Sequence, residues 1–349
     1  MGVSNGGGRR RSSRRRAILA VVVIAALLCA ALLAAIGSLN RDLYSASGFV
    51  RQYLDAIARR DTTSALQLPG VELTNQALEA AKLPRDLPTT LLRPDVLSEL
   101  TDIHLIRETE DGAGTHTVLY GFRLDGKPES MMFSVAHTGT FAGVFNSWRF
   151  ASSPLAVLQI TVLHEASFTV NGLTLDTRAH AAADTPATFS NQASYLAFAP
   201  TSYSIAHTST LLSASVQRVP VTKSTAVAVS VDAEPNEAFI SQVQTELNGF
   251  LDDCTTQQVL QPSNCPFGIE INDRIKNDPV WSIADYPVVA LTAGATTFEM
   301  ADTTGQAHIV VEVQSLFDGD VETRDEDVPF AVALSVTVKP DGSLAIQLH

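Results

Sequence analysis

Phe49-Val50-Arg51-Gln52-Tyr53-Leu54-Asp55-Ala56-Ile57 places its apolar residues at positions 49, 50, 53, 54 and 57, the spacing of one face of an α-helix. Ser45 and Ser47 precede it as candidate N-caps. A second helical piece through Ala65, Leu66 and Leu68 stops at Pro69-Gly70, and Leu73–Ala81 reads as a third. From Ile103 the period changes to that of strands. Ile103–Thr109, His116–Leu124 and Ser130–His137 are separated by Asp111-Gly112 and Asp125-Gly126, which favour tight turns, and Trp148–Phe150 supplies a last strand. Helices followed by an antiparallel run predict an α+β domain over residues 43–150.

Toward the N-terminus, Ala17 to Ile36 is an unbroken apolar run of twenty residues without charge, Pro or Gly. At about 1.5 Å per residue such a helix spans the ~30 Å hydrocarbon core of a bilayer. Arg9, Arg10, Arg11, Arg14, Arg15 and Arg16 precede it, and arginine clusters stay on the cytoplasmic side. The expectation is a basic cytoplasmic tail (1–16), a transmembrane helix (17–37) with the bilayer as its partner, and C-terminal domains outside the plasma membrane. Six of the 24 Lys and Arg lie before the run, leaving 18 against all 37 Asp and Glu, so the exported part carries a formal charge of −19. The alternative is a secretory signal cut after Gly37, against which stands the length of the run: signal cores hold about 7–15 apolar residues.

Toward the C-terminus, Phe168-Thr169-Val170-Asn171-Gly172-Leu173-Thr174-Leu175 is a hairpin signal, because Asn-Gly readily takes the positive φ angles of a type I′ turn. Further strands are expected at Ser194–Ala199, Tyr203–His207, Leu211–Val219 and Thr225–Val231, giving a small β-sandwich over 159–233. Pro235 then opens a helix with Phe239, Val243, Leu247 and Phe250 on one stripe. Strands are expected at Val288–Ala293, Thr297–Ala301, His308–Phe317, Phe330–Val338 and Ser343–Leu348. Residues 235–349 thus repeat the order of 43–150, a helix and then an antiparallel meander.

The acidic balance argues against nucleic acid as a partner, because phosphate would be repelled. Cys254 and Cys265 are the two cysteines outside the apolar run, and an extracytoplasmic location makes a disulfide between them the natural reading. The eight histidines stand at 104, 116, 137, 164, 180, 207, 308 and 349, none in a metal-ligand spacing. His164-Glu165 opens like a zinc-protease motif but has no second His four positions on. Asp318-Gly319-Asp320-Val321-Glu322 and Asp325-Glu326-Asp327 offer oxygens to Ca²⁺, yet Thr323 stands where a calcium loop turns on Gly, so a solvated acidic hairpin loop is expected. Asp55, Asp102 and His104 are the polar residues through which a cone-shaped domain could hold a general base. No catalytic, cofactor or metal residues are assigned.

The segment Phe49-Val50-Arg51-Gln52-Tyr53-Leu54-Asp55-Ala56-Ile57-Ala58-Arg59-Arg60-Asp61-Thr62-Thr63-Ser64-Ala65-Leu66 resembles the opening helices of nuclear-transport-factor-like and cystatin-like domains, which curl a sheet around a helix. The order of basic tail, anchor, cone-like domain, Val-Asn-Gly β-domain and second cone-like domain resembles uncharacterised single-pass envelope proteins of actinobacteria. Cys254-Thr255-Thr256-Gln257-Gln258-Val259-Leu260-Gln261-Pro262-Ser263-Asn264-Cys265-Pro266-Phe267-Gly268 is the most specific piece. The chain is more loosely similar to teicoplanin-resistance-associated membrane proteins, which also carry a Val-x-Gly hairpin. It departs from them in lacking an N-terminal Cys-x-x-Cys zinc ribbon and in having Ala199-Pro200-Thr201 in place of a Pro-Gly turn. The missing catalytic constellations, the strand-rich modules and the anchor point to a non-enzymatic envelope protein that binds an envelope protein or cell-wall component. The alternative is a small-ligand binder or a hydrolase or isomerase using a cone's cavity.

Overall fold

The computed structural model describes residues 9–112, 114–179, 188–339 and 342–349. Residues 1–8 of the expected tail and His180 lie outside them. The protein is α+β. In chain order come helices α1 (Arg9–Asp42), α2 (Ala46–Ala58), α3 (Thr62–Gln67) and α4 (Asn75–Ala80). Strands β1 (Leu100–Glu110), β2 (Thr115–Leu124), β3 (Lys127–Phe141) and β4 (Phe145–Phe150) then form one antiparallel meander, β1-β2-β3-β4.

Strands β5 (Ala156–Leu163), β6 (Ser167–Val170), β7 (Leu173–Asp176), β8 (Ser190–Ala197), β9 (Thr201–Thr208), β10 (Leu212–Val221), β11 (Ala226–Asp232) and β12 (Glu234–Pro235) follow. They form two sheets, ordered β12-β10-β9-β6-β7 and β11-β5-β8. Helix α5 (Glu237–Thr255) leads to β13 (Arg274–Ile275), β14 (Val280–Asp285), β15 (Thr292–Ala293), β16 (Phe298–Gln314), β17 (Val321–Val338) and β18 (Leu344–Leu348). The last sheet is ordered β13-β16-β17-β18, with β14 and β15 also paired to β16.

The chain divides into two compact units. One holds the described residues up to Gln159 with Ser194–Tyr203 and Arg218–Val227, and the other holds Ile160–Ala193, Ser204–Gln217 and Ala228–His349. Strands β5 and β8 to β11 therefore carry residues of both.

In the first unit, Ile18–Asp42 of α1 is long and apolar enough to cross a membrane, and none of it is buried by the protein. Helix α2 starts where the Ser45 hydroxyl accepts the Gly48 amide at 2.9 Å. Its apolar face, Phe49, Val50, Tyr53, Leu54 and Ile57, is buried. Phe49 and Tyr53 meet Phe150 with ring centroids 5.0 and 5.4 Å apart, and Tyr53 meets Phe133 at 6.2 Å. Each such side chain contributes about 1.5–3 kcal/mol by leaving water. The Tyr120 hydroxyl donates to Ser47 O at 3.0 Å, tying β2 to the start of α2.

In the second unit, Asn236 caps α5 by accepting the Phe239 amide at 3.0 Å. Phe239, Val243, Leu247 and Leu251 bury one stripe of the helix in a core that holds Phe267, Trp281, Phe298 and Phe330. Cys254 and Cys265 stand at disulfide distance, with Cα atoms 5.9 Å apart. The turn at Asn171-Gly172 takes φ angles of 47° and 85° and joins β6 to β7, as its Asn-Gly sequence predicts.

Three expectations need correction. Of Val288–Ala293 only Thr292–Ala293 is strand. Thr297–Ala301 and His308–Phe317 are parts of the single long β16, which ends at Gln314. The intervening Gly305 is there because Phe330 of β17 crosses its backbone, and a Cβ would stand 2.6 Å from that ring. Asp325-Glu326-Asp327 is strand β17 rather than loop, and Asp327 pairs with His308.

Candidate functional site

Asp55, Asp102 and His104, through which a cone-shaped domain could hold a general base, lie on the outside of the first helix-and-sheet unit. Asp55 pairs with Arg51 at 2.8 Å, one helical turn apart, and both side chains are about one-third exposed or more. Asp102 and His104 are more than half exposed. The space between α2 and its sheet is filled by the rings of Phe49, Tyr53, Phe133 and Phe150. A separate apolar cavity of about 650 Å³ lies under α4 in the same unit, lined by Leu73, Leu78, Phe150, Leu155 and Val157, with Glu72 and Arg149 among its polar members.

The acidic residues of the β16–β17 hairpin have partners within it. The Ser315 hydroxyl, then the Asp320 amide, hold the Asp318 carboxyl below the usual carboxylate range. Asp325 and Asp327 flank one imidazole, their oxygens 3.3 and 2.8 Å from the two ring nitrogens of His308. His116 repeats this arrangement in the first sheet, between Glu108 at 2.9 Å and Glu110 at 3.8 Å. In both cases carboxylates two residues apart on one strand face the same side, so a histidine on the neighbouring strand meets both. Among the described residues no group of three or more His, Cys, Asp or Glu side chains converges as a metal would require.

The most elaborated polar site is built around His164 in the second unit. Strand β5 ends at Leu163, and His164 turns the chain with φ at +66°, a conformation that non-glycine residues seldom adopt. Its backbone amide donates to Phe189 O at 2.7 Å. The ring then tilts onto Phe189 at 4.6 Å and meets the edge of Phe298 at 5.7 Å, leaving the side chain only 12% exposed.

Nδ1 faces two acceptors, Asp232 Oδ1 at 3.1 Å and Ala233 O at 3.2 Å. Neither can donate, so Nδ1 carries a proton and Nε2 is left as an acceptor in the neutral ring. Among the described residues no hydroxyl or thiol is hydrogen-bonded to this imidazole.

Around the ring opens a cleft of about 730 Å³. Glu165, Arg178, Asn191, Gln242 and Lys339 supply its charged and amide groups, and Phe189 and Phe298 its apolar wall. The Glu165 carboxylate accepts the Ala166 amide at 2.7 Å, and Asn191 donates to Glu165 O at 3.1 Å, so the turn that presents His164 is braced from both sides. Sequence singled out His164-Glu165 as an incomplete zinc motif. Asp232 and the two phenylalanines carry no local signal, because they reach the site through strand pairing and helix packing. Comparison with protein-family models, with curated proteins and with solved structures finds no match.

Proposed function

We propose that this is a single-pass, membrane-anchored, extracytoplasmic protein of the cell envelope that binds an envelope protein or a cell-wall component without catalysing a reaction. The observation that carries this reading is α1, an apolar helix of membrane-spanning length whose apolar window holds no buried residue. The preceding arginines support an N-terminus in the cytoplasm and acidic domains outside the plasma membrane. We read residues 43–150 and 235–349 as cone-like domains on either side of a β-sandwich at 159–233. The helix-then-meander order of both segments and the resemblance to actinobacterial envelope proteins support that division.

Within it, the His164 cleft is the surface we assign to the partner. A second reading, binding or turnover of a small ligand, draws on the apolar cavity under α4. Proximity labelling from the C-terminus in intact cells separates the two. Enrichment of envelope proteins over a free exported control, lost in His164→Ala, supports the binding reading. No enrichment removes its main support.

A further inference from the structure

The end of the apolar helix and the tip of the β3–β4 hairpin are clamped together within the first unit. Asn40, near the end of α1, uses both ends of its amide. Its Nδ2 donates to Val144 O at 2.6 Å, and its Oδ1 accepts the Asn146 amide at 3.1 Å. Tyr44 stacks on Phe145 with centroids 4.5 Å apart, and its carbonyl accepts Trp148 Nε1 at 2.8 Å. Four links over a few residues fix the hairpin to the helix that leaves the membrane.

The clamp also sets a depth. The apolar run ends at Ile36, and Asn40 lies four residues on, about 6 Å of helical rise. The headgroup layer extends about 5–8 Å beyond each face of the hydrocarbon core. The carbonyl that Asn40 holds is therefore at headgroup level.

On the hairpin side the chemistry at that level is apolar and uncharged, while α1 ends beside it in the exposed pair Arg41 and Asp42. Phe141 is 65% exposed and Val144 41%, on a turn made by Ala142 and Gly143, both at positive φ. Leu39 and Leu43, on either side of Asn40, are 38% and 53% exposed. From Thr138 to Ser147 no residue is charged, in a chain whose exterior is strongly acidic. In water, clustered exposed rings and aliphatic side chains are unfavourable by roughly 25 cal/mol per Å². In a bilayer interface they are solvated, and Trp and Tyr, which the clamp supplies as Trp148 and Tyr44, collect there.

We infer that the hairpin tip Phe141-Ala142-Gly143-Val144 is a second membrane contact, seated in the headgroup layer of the bilayer that α1 spans, and that it fixes the orientation of the first helix-and-sheet unit at the membrane surface. This rests on the reading of α1 as membrane-spanning, so the test reads both. Full-length protein in phosphatidylcholine vesicles carries one environment-sensitive fluorophore, on Cys29, or in a Cys29→Ala background on Phe141→Cys, Val144→Cys or Lys127→Cys. Lys127 begins β3, at the other end of the strand from Phe141.

The expected result is loss of emission with deep nitroxide lipids for the Cys29 label. Labels at 141 and 144 shift to the blue and lose emission with shallow nitroxide lipids, and the label at 127 does neither. Quenching at 29 with none at 141 or 144 overturns the hairpin contact and leaves the anchor standing. No quenching at any position overturns the anchor and the inference with it.

Discussion

A tyrosine hydroxyl that is fully buried must find an acceptor, and Tyr53 donates to Ala199 O at 2.9 Å. Burial first, then the neighbouring Tyr203, raises its pKa well above 10, and the Ala199 bond offsets only part of this. Tyr203, which donates to Phe198 O at 3.0 Å, is raised by burial as well. Because both folded values lie above the unfolded one, this contribution to stability is complete below about pH 10 and is lost as pH rises toward the folded values. Tyr53→Phe should cost about 1–2 kcal/mol at neutral pH, and should flatten the fall in stability above about pH 10, as measured by urea unfolding. An equally steep alkaline loss in the variant would remove Tyr53 from the account. At His164, backbone and side chain make opposite demands. Gly fits φ +66° without strain and Ala does not, so His164→Gly should be more stable than His164→Ala by about 1 kcal/mol, although both lose the contacts to Phe189 and Phe298. Equal melting temperatures for the two variants would contradict that reading of the turn.

At the scale of elements, caps and cross-links set local stability. Asn236 satisfies the Phe239 amide at the head of α5, so Asn236→Ala should destabilise the second unit by about 1 kcal/mol in chemical denaturation. The disulfide closes a loop with a sequence separation of 11, and replacing both cysteines by Ser should cost about 3 kcal/mol by the loop-entropy relation. A loss smaller than the cap's would mean that the loop is already ordered by its other contacts, among them Trp281 Nε1 to Val259 O at 2.8 Å. Elements were legible where pattern and punctuation agreed. Helix α2 showed its period, and Asp125-Gly126 and Asn171-Gly172 marked their hairpins. Strand β5 was not legible, because Ala156-Val157-Leu158 is buried at every position and a continuous apolar run has no strand period to display. Long β16 was read as two strands because Gly305 looks like a break until the Phe330 ring over it is known. The acidic run was read as loop because the partner that makes it a strand, His308, lies across the sheet.

For the molecule as a whole, the apolar helix and the asymmetry of charge on its two sides were fully legible, since both depend only on composition along the chain. The candidate site was not. His164 and Asp232 are brought within 3.1 Å of each other by strands β5 and β11, and no spacing in the sequence reports that approach. The Asn40 clamp, between residues more than a hundred positions apart, was invisible for the same reason. The central proposal is a tether with one crossing, the basic tail inside and the acidic domains outside. Protease added to intact cells expressing the full chain with different tags at its two ends tests this most directly, followed by alkaline extraction of the membranes. The account predicts that the C-terminal tag is digested, and that the N-terminal tag survives on a short fragment that stays in the membrane pellet. A C-terminal tag protected in intact cells, or a full-length chain released by alkaline extraction, would contradict it.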